Sequence, residues 1–229
     1  MAKQLKLLVA CEFSGIVRNA FAARDWDAWS CDILPTERPG QHHQGDVLEI
    51  VNDDWDLLIA HPPCTDLAVS GARHFNKKRD EQVKSLEFAH KLWTSVVPRI
   101  ALENPVSILS SYIGRPTQII QPWWFGHGIT KSTCLWLKGL PKLWPTDTVP
   151  VVTKNSIRDQ SLGPRNKVLQ PWMVKGYNPT TEHYDDRRKE RSRTYKGIAE
   201  AMAQQWTEWI LRYPTGIVNP FRPRSSKAK

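Results

Sequence analysis

Short apolar runs alternate with stretches of helical spacing along the first 137 residues. Lys6 to Cys11, Asp27 to Cys31, Leu57 to Ala60 and Arg99 to Leu102 read as strands, each too short and too apolar for a surface helix. Between them, Ile16 to Ala23 carries apolar residues at helical spacing. Arg79 to Val97 does so over a longer span, with Val83, Leu86, Phe88, Ala89, Leu92, Trp93 and Val96 in register and Pro98 as the stop. Pro35 to His43 is polar and turn-rich and predicts a loop, and Gly45 to Ile50 a short strand end. Gln118 to Gln121 and Thr133 to Leu137 predict two further strands, and Thr194 to Leu211 a helix with Ile198, Met202, Trp206, Trp209 and Ile210 on one face. Repeated β/α units predict an α/β fold, a mostly parallel sheet with helices on both faces. One domain over 1–219 is expected, with a loop-rich insertion at about 140–190 and a basic flexible tail at 220–229.

Composition narrows this only a little. The chain has 229 residues, 40% hydrophobic and 24% charged, which suits one sizeable α/β domain. No signal peptide and no apolar run long enough to span a bilayer is evident, so a cytoplasmic protein without a membrane partner is expected. The formal charge of +9 favours a polyanionic partner, either nucleic acid or nucleotide. Basic residues at Arg187, Arg188, Lys189, Arg191 and Arg193 could form a phosphate-facing strip or a solvated face. Eleven Trp are present, some of which could stack on bases. The cysteines, Cys11, Cys31, Cys64 and Cys134, form no CxxC pair and no finger spacing, so no metal is expected.

The candidate chemistry collects where strands end. The run Leu57 to Ala60 stops at His61-Pro62-Pro63-Cys64, a thiol on a proline-stiffened loop at the place where open α/β sheets hold their ligands. Such a cysteine is either a nucleophile or a buried structural thiol. The next strand ends in Glu103-Asn104-Pro105, which puts a carboxyl at the neighbouring tip; Glu103 could equally be an acid at a helix start. Upstream, Phe13-Ser14-Gly15 makes a strand–turn–helix junction whose N–H groups could face a ligand. Asp32, closing the second strand, is placed to accept ribose hydroxyls or to cap a turn. Asp46 could take a purine amine or cap a helical turn.

Together these residues resemble the DNA cytosine-5 methyltransferases, enzymes that use S-adenosylmethionine. Phe13-Ser14-Gly15 resembles their first cofactor motif, Asp32 the acid that holds the ribose, and Gly45-Asp46-Val47 the motif whose aspartate contacts the adenine. Pro62-Pro63-Cys64 resembles their nucleophile loop, with Pro62 beside the cofactor, and Glu103-Asn104 their Glu-Asn pair. Thr194 to Gln205 corresponds to the helix that closes the domain. The likeness covers most of residues 5–137 and resumes near Arg191. It implies a Rossmann-like methyltransferase sheet and methylation of cytosine C5 in DNA, with Cys64, Glu103 and Asn104 catalytic. Thr65, Leu67 and Ala68 stand where the family has Gln, Phe and Ser, Lys131 and Ser132 where it has arginines, and the target-recognition region is short. Two alternatives stay open: C5 modification of a free pyrimidine nucleotide, or a DNA-binding protein on a decayed methyltransferase fold.

Overall fold

The computed structural model describes residues 3–69, 78–151 and 192–214. Its strands are β1 Lys6–Ala10, β2 Asp27–Asp32, β3 Gln41–Gln44, β4 Leu57–Ala60, β5 Ile100–Pro105, β6 Gln118–Ile120 and β7 Thr133–Lys138. They form one sheet in the order β3-β2-β1-β4-β5-β7-β6. The first five strands pair in parallel, and β7 runs antiparallel to both β5 and β6. The central strands β1 and β4 are covered on both faces, which is why they read as unbroken apolar runs rather than as alternation.

The helices are α1 Ile16–Ala22, α2 Arg79–Trp93, α3 Leu109–Tyr112 and α4 Lys196–Arg212. One face of the sheet packs Leu7, Val9, Leu57, Ile59 and Ala101 against Val17 and Phe21 of α1 and Ile198, Met202 and Trp206 of α4. The other face packs Leu8, Leu58 and Ile100 against Leu92 of α2. Leu102, Cys134 and Trp136 complete that second layer around Ala89 and Leu109. Cys134 is therefore a buried core side chain.

Several boundaries differ from the expectation. Gln41–Gln44 is a strand although the loop reading ran through His43, because an edge strand needs backbone pairing with β2 and no apolar pattern of its own. Gly45 to Ile50 is not a strand end: Val47–Glu49 is one 3-10 turn with Asp46 as its cap. Helix α2 stops at Trp93, four residues short of Val97, and both Val83 and Val96 are exposed. Five of the tryptophans are tied into the scaffold. The indole N–H groups of Trp26, Trp29, Trp55, Trp136 and Trp206 each donate to a protein acceptor, at 2.7 to 3.1 Å. Among the described residues no helix is long and apolar enough to cross a membrane. The basic run from Arg187 to Arg191, most of the 140–190 insertion and the 220–229 tail lie outside the described residues.

Helix α4 docks through a glycine. A Cβ on Gly197 would fall on the Phe125 carbonyl oxygen, so the helix start can approach that turn only without a side chain. Gly197→Ala is expected to cost about 1–3 kcal/mol, as overpacking does, and to show as a lowered urea midpoint.

Candidate active site

The crevice of an open α/β sheet lies where the strand order reverses, here between β1 and β4, with β2 and β3 on one side and β5 on the other. Both central strands stop there. The chain leaving β1 turns sharply at Cys11, which adopts the left-handed backbone (φ 58°) at a cost of about 1–2 kcal/mol for a residue with a side chain. Glu12 follows, buried, with its N–H on the Cys31 carbonyl. Its carboxylate accepts the Ser14 hydroxyl at 3.1 Å and the Val17 and Arg18 N–H groups at 2.7 and 3.2 Å. The buried charge is stabilised by the N-terminal end of α1.

This arrangement changes one expectation. The N–H groups at the start of α1 are taken by Glu12, and that of Ile16 by Ser14 Oγ, so the turn does not offer them to a ligand. Phe13, Ser14 and Gly15 are themselves buried. Gly15 sits at φ 66° as the α1 cap, and the Phe13 carbonyl accepts Glu37 N–H at 2.8 Å. Glu12 was missed in the sequence, where its only signal is an acid three residues before the glycine of the turn.

On the other side, β4 pairs with β5 so that Ala60 stands opposite Leu102. One step further, His61 faces Glu103, and His61 Nδ1 lies 3.1 Å from Glu103 Oε2. Burial by itself would push the Glu103 carboxyl up. The hydrogen bond and electrostatic pull of His61, with Lys131 nearby, outweigh it and hold Glu103 below its ordinary value. Asn104, 1% exposed, turns to the opposite face of β5, where its Nδ2 donates to the Pro62 carbonyl at 3.0 Å. Asn104 thus pins the loop that carries Cys64. Asn104→Ala should leave that carbonyl unpaired and lower stability by roughly 1–3 kcal/mol, read from urea unfolding.

Cys64 is exposed, and its carbonyl accepts from the Leu67 and Ala68 N–H groups, so the thiol rides on a closed turn. The other three cysteines are poor nucleophiles. Burial pushes the Cys31 thiol up to about 12, with Asp32 adding to it. Burial also raises Cys11, helped by the Asp32 and Asp46 carboxylates, and it raises Cys134.

Asp32 lies at the tip of β2, its carboxyl raised by burial and partly restored by the Leu34 and Ile33 N–H groups. It accepts Leu34 N–H at 2.9 Å, and Ile33 beside it is 77% exposed. Asp46 accepts Leu48 N–H at 3.0 Å as the cap of its turn. Both acids bear electrostatically on Cys11, which puts them at the β1 end of the crevice. Pro62 is buried, with its carbonyl engaged by Asn104.

A small open cleft lies at this reversal point, lined by Cys11, Glu12, Phe13, Ser14, His61, Ser192 and Thr194. Ser192 and Thr194 come from far along the chain. They are held there by Arg193, whose guanidinium grips Glu37 at 2.7 and 3.0 Å, and by Tyr195, which lies against His127 and under Lys131. His127 Nε2 accepts the Gly197 N–H, the neutral form that burial favours. Cys64, Asp32 and Asp46 are outside this lining. Among the described residues no cluster of three or more His, Cys, Asp or Glu could hold a metal.

Five parallel strands, a reversal between β1 and β4, and a last inserted strand that alone runs backwards make one known arrangement. This is the methyltransferase fold. Two solved structures are similar to it at low identity. One is described as a DNA modification methyltransferase encoded within a prophage of E. coli, with 14% identity, a TM-score of 0.40, and 64% of this chain and 52% of that one covered. The other is the Entamoeba histolytica methyltransferase EhMeth, with 15% identity, a TM-score of 0.44, and 71% and 62% covered. The chain thus spans between half and two thirds of the length of each. Neither a family model nor a curated protein matches the chain.

Proposed function

We propose that the chain methylates cytosine at C5 in DNA, with Cys64 as the nucleophile and S-adenosylmethionine as methyl donor. One observation carries the reading. The exposed cysteine of the four sits on a loop that Asn104 pins and that begins at His61, the residue bonded to the Glu103 carboxylate of the neighbouring strand.

Cytosine C5 is a weak nucleophile. Addition of a thiolate at C6 makes C5 enamine-like and able to attack an electrophilic methyl group. Cys64, outside the apolar core, is the thiol of this chain suited to that step. Glu103 would hold the base edge, accepting from the exocyclic amine and bonding N3 as that nitrogen takes up a proton. Asn104 and the two prolines keep the Cys64 loop from moving as the Sγ–C6 bond forms. In a duplex the base would have to leave the stack to reach this crevice. The net charge of +9 suits a polyanionic substrate.

Such a donor would bind along the crevice, one end of it against Phe13, Ser14, Ser192 and Thr194, which line the cleft, with Gly15 next in the chain. Asp32 would take the ribose hydroxyls, exposed Ile33 one face of the adenine, and Asp46 its amine. When bound, S-adenosylmethionine supplies a methyl group activated by its sulfonium.

The test uses duplex DNA whose cytosines on one strand are all replaced by 5-fluorocytosine, so no recognised sequence need be known. Fluorine cannot leave C5 as the proton does, so methyl transfer should leave a protein–DNA adduct that survives denaturing electrophoresis. An adduct with a fluorinated cytidine nucleotide but none with DNA would move the substrate to the free nucleotide. No adduct with either would end the reading.

A further inference from the structure

The hydrogen bond between His61 and Glu103 raises a question of proton supply. Glu103 is held ionised, so it cannot by itself deliver the proton that cytosine N3 needs. Its partner can. The His61 side chain is 8% exposed, with Nδ1 on Glu103 and Nε2 without a hydrogen-bond partner among the described residues. A buried imidazole nitrogen left unpaired costs stability, so its retention calls for an explanation. The same ring lines the cavity beside Cys11, Glu12, Phe13 and Ser14.

We infer that His61 is the proton carrier for Glu103, a positioning residue that acts on the base through that carboxyl. The inference rests on the cytosine reading above and deepens it. As the Sγ–C6 bond forms, the C5=C6 electron pair shifts into the ring. The His61 Nδ1 proton passes to the Glu103 carboxylate, and the carboxyl so formed gives its proton to N3, leaving His61 as neutral imidazole and Glu103 again as carboxylate. After methyl transfer the C5 proton leaves to water and the Sγ–C6 bond breaks. N3 then returns its proton through Glu103 to His61. The balance over the cycle is one proton released, from C5. Nε2 is the nitrogen through which the ring exchanges protons with the cavity, so that it can start each cycle charged. Lys131 before β7 and Glu12 in the β1 turn are charged groups near this pair among the described residues.

The experiment follows single-turnover adduct formation on 5-fluorocytosine DNA in mixtures of H2O and D2O. Two protons in flight give the wild type a curved dependence on deuterium fraction. In His61→Asn, the amide can still bond Glu103 but has no proton to pass, so the rate should fall roughly 100-fold or more. Its isotope dependence should become linear. His61→Asn added to Glu103→Gln should be no slower than Glu103→Gln alone, because the two act as a unit. His61→Gln repeats the test should the Asn variant fold poorly, and the wild-type inventory needs no variant. A linear wild-type inventory, or a His61→Asn rate equal to wild type, overturns the relay while leaving Cys64 catalysis standing. If the wild type forms no adduct on any cytosine substrate, the methylation reading fails and the relay fails with it.

Discussion

Cys64→Ser is expected to abolish the adduct with 5-fluorocytosine DNA and to lower methyl transfer by ~10⁴-fold or more, the scale on which losing a covalent nucleophile is felt. Serine is nearly the same size, so the loss would be chemical. A hydroxyl stays protonated far above the range in which an exposed thiol ionises, and its oxygen is less polarisable. The fold should not change, because the turn is anchored through the Cys64 carbonyl, on the Leu67 and Ala68 N–H groups, and serine keeps both bonds. Thermal unfolding and S-adenosylmethionine binding by calorimetry should therefore match the wild type. Cys134→Ala is the matching control: a core thiol raised by burial, whose removal should affect stability and leave the adduct intact. A Cys64→Ser protein that still forms adduct at a near-wild-type rate would remove Cys64 from the mechanism.

Arg18→Met is expected to give the largest loss of stability. Arg18 lies on α1 yet is fully buried, its guanidinium enclosed by the loop between β2 and β3. It donates to Asn19 Oδ1, Ser30 Oγ, Thr36 Oγ1 and the carbonyls of Arg38, Pro39 and Gln41, at 2.8 to 3.3 Å. Burial lowers its proton affinity, and Glu12 pulls the other way, so the charge is retained. Methionine fills similar volume but satisfies none of these acceptors and leaves Glu12 without its nearby cation. Breaking a buried charge network in this way costs about 3–5 kcal/mol. For a chain of this size that is a drop in melting temperature of about 10 °C or more. The same loop leads from Asp32 to Glu37, the Arg193 partner, so the variant should also weaken cofactor binding beyond its effect on stability. Unfolding within about 0.5 kcal/mol of wild type, the range of an ordinary surface change, would show that the network is replaceable.

The parallel core was legible because burial on both faces forces continuous apolar runs. Leu57 to Ala60 could hardly be anything but a central strand, and the prolines after it had to end the ladder. Part of the candidate site's framework was legible in the same way. Cys64 follows β4 and Glu103 lies near the end of β5, and these strands are neighbours in the sheet. Gln41–Gln44 was not legible, since nothing in Gln-His-His-Gln distinguishes an edge strand from a loop until β2 is there to pair with it. The capping role of Asp46 and the shortened α2 belong to the same class, because ends are set by local hydrogen bonds rather than by periodicity.

By itself, then, the sequence determined which segments must be buried and which polar residues stand at their ends, because apolar periodicity is a local property. Tertiary structure decided what those polar residues are bonded to. It set the Glu12 carboxylate on the first N–H groups of α1 and made Asn104 the latch on Pro62. It also drew Arg18 out of solvent and set His61 on Glu103. Apart from Glu12, whose partners are close in the chain, these pairings join groups brought together by strand order or by the folding of a loop, and no local pattern encodes partners that distant.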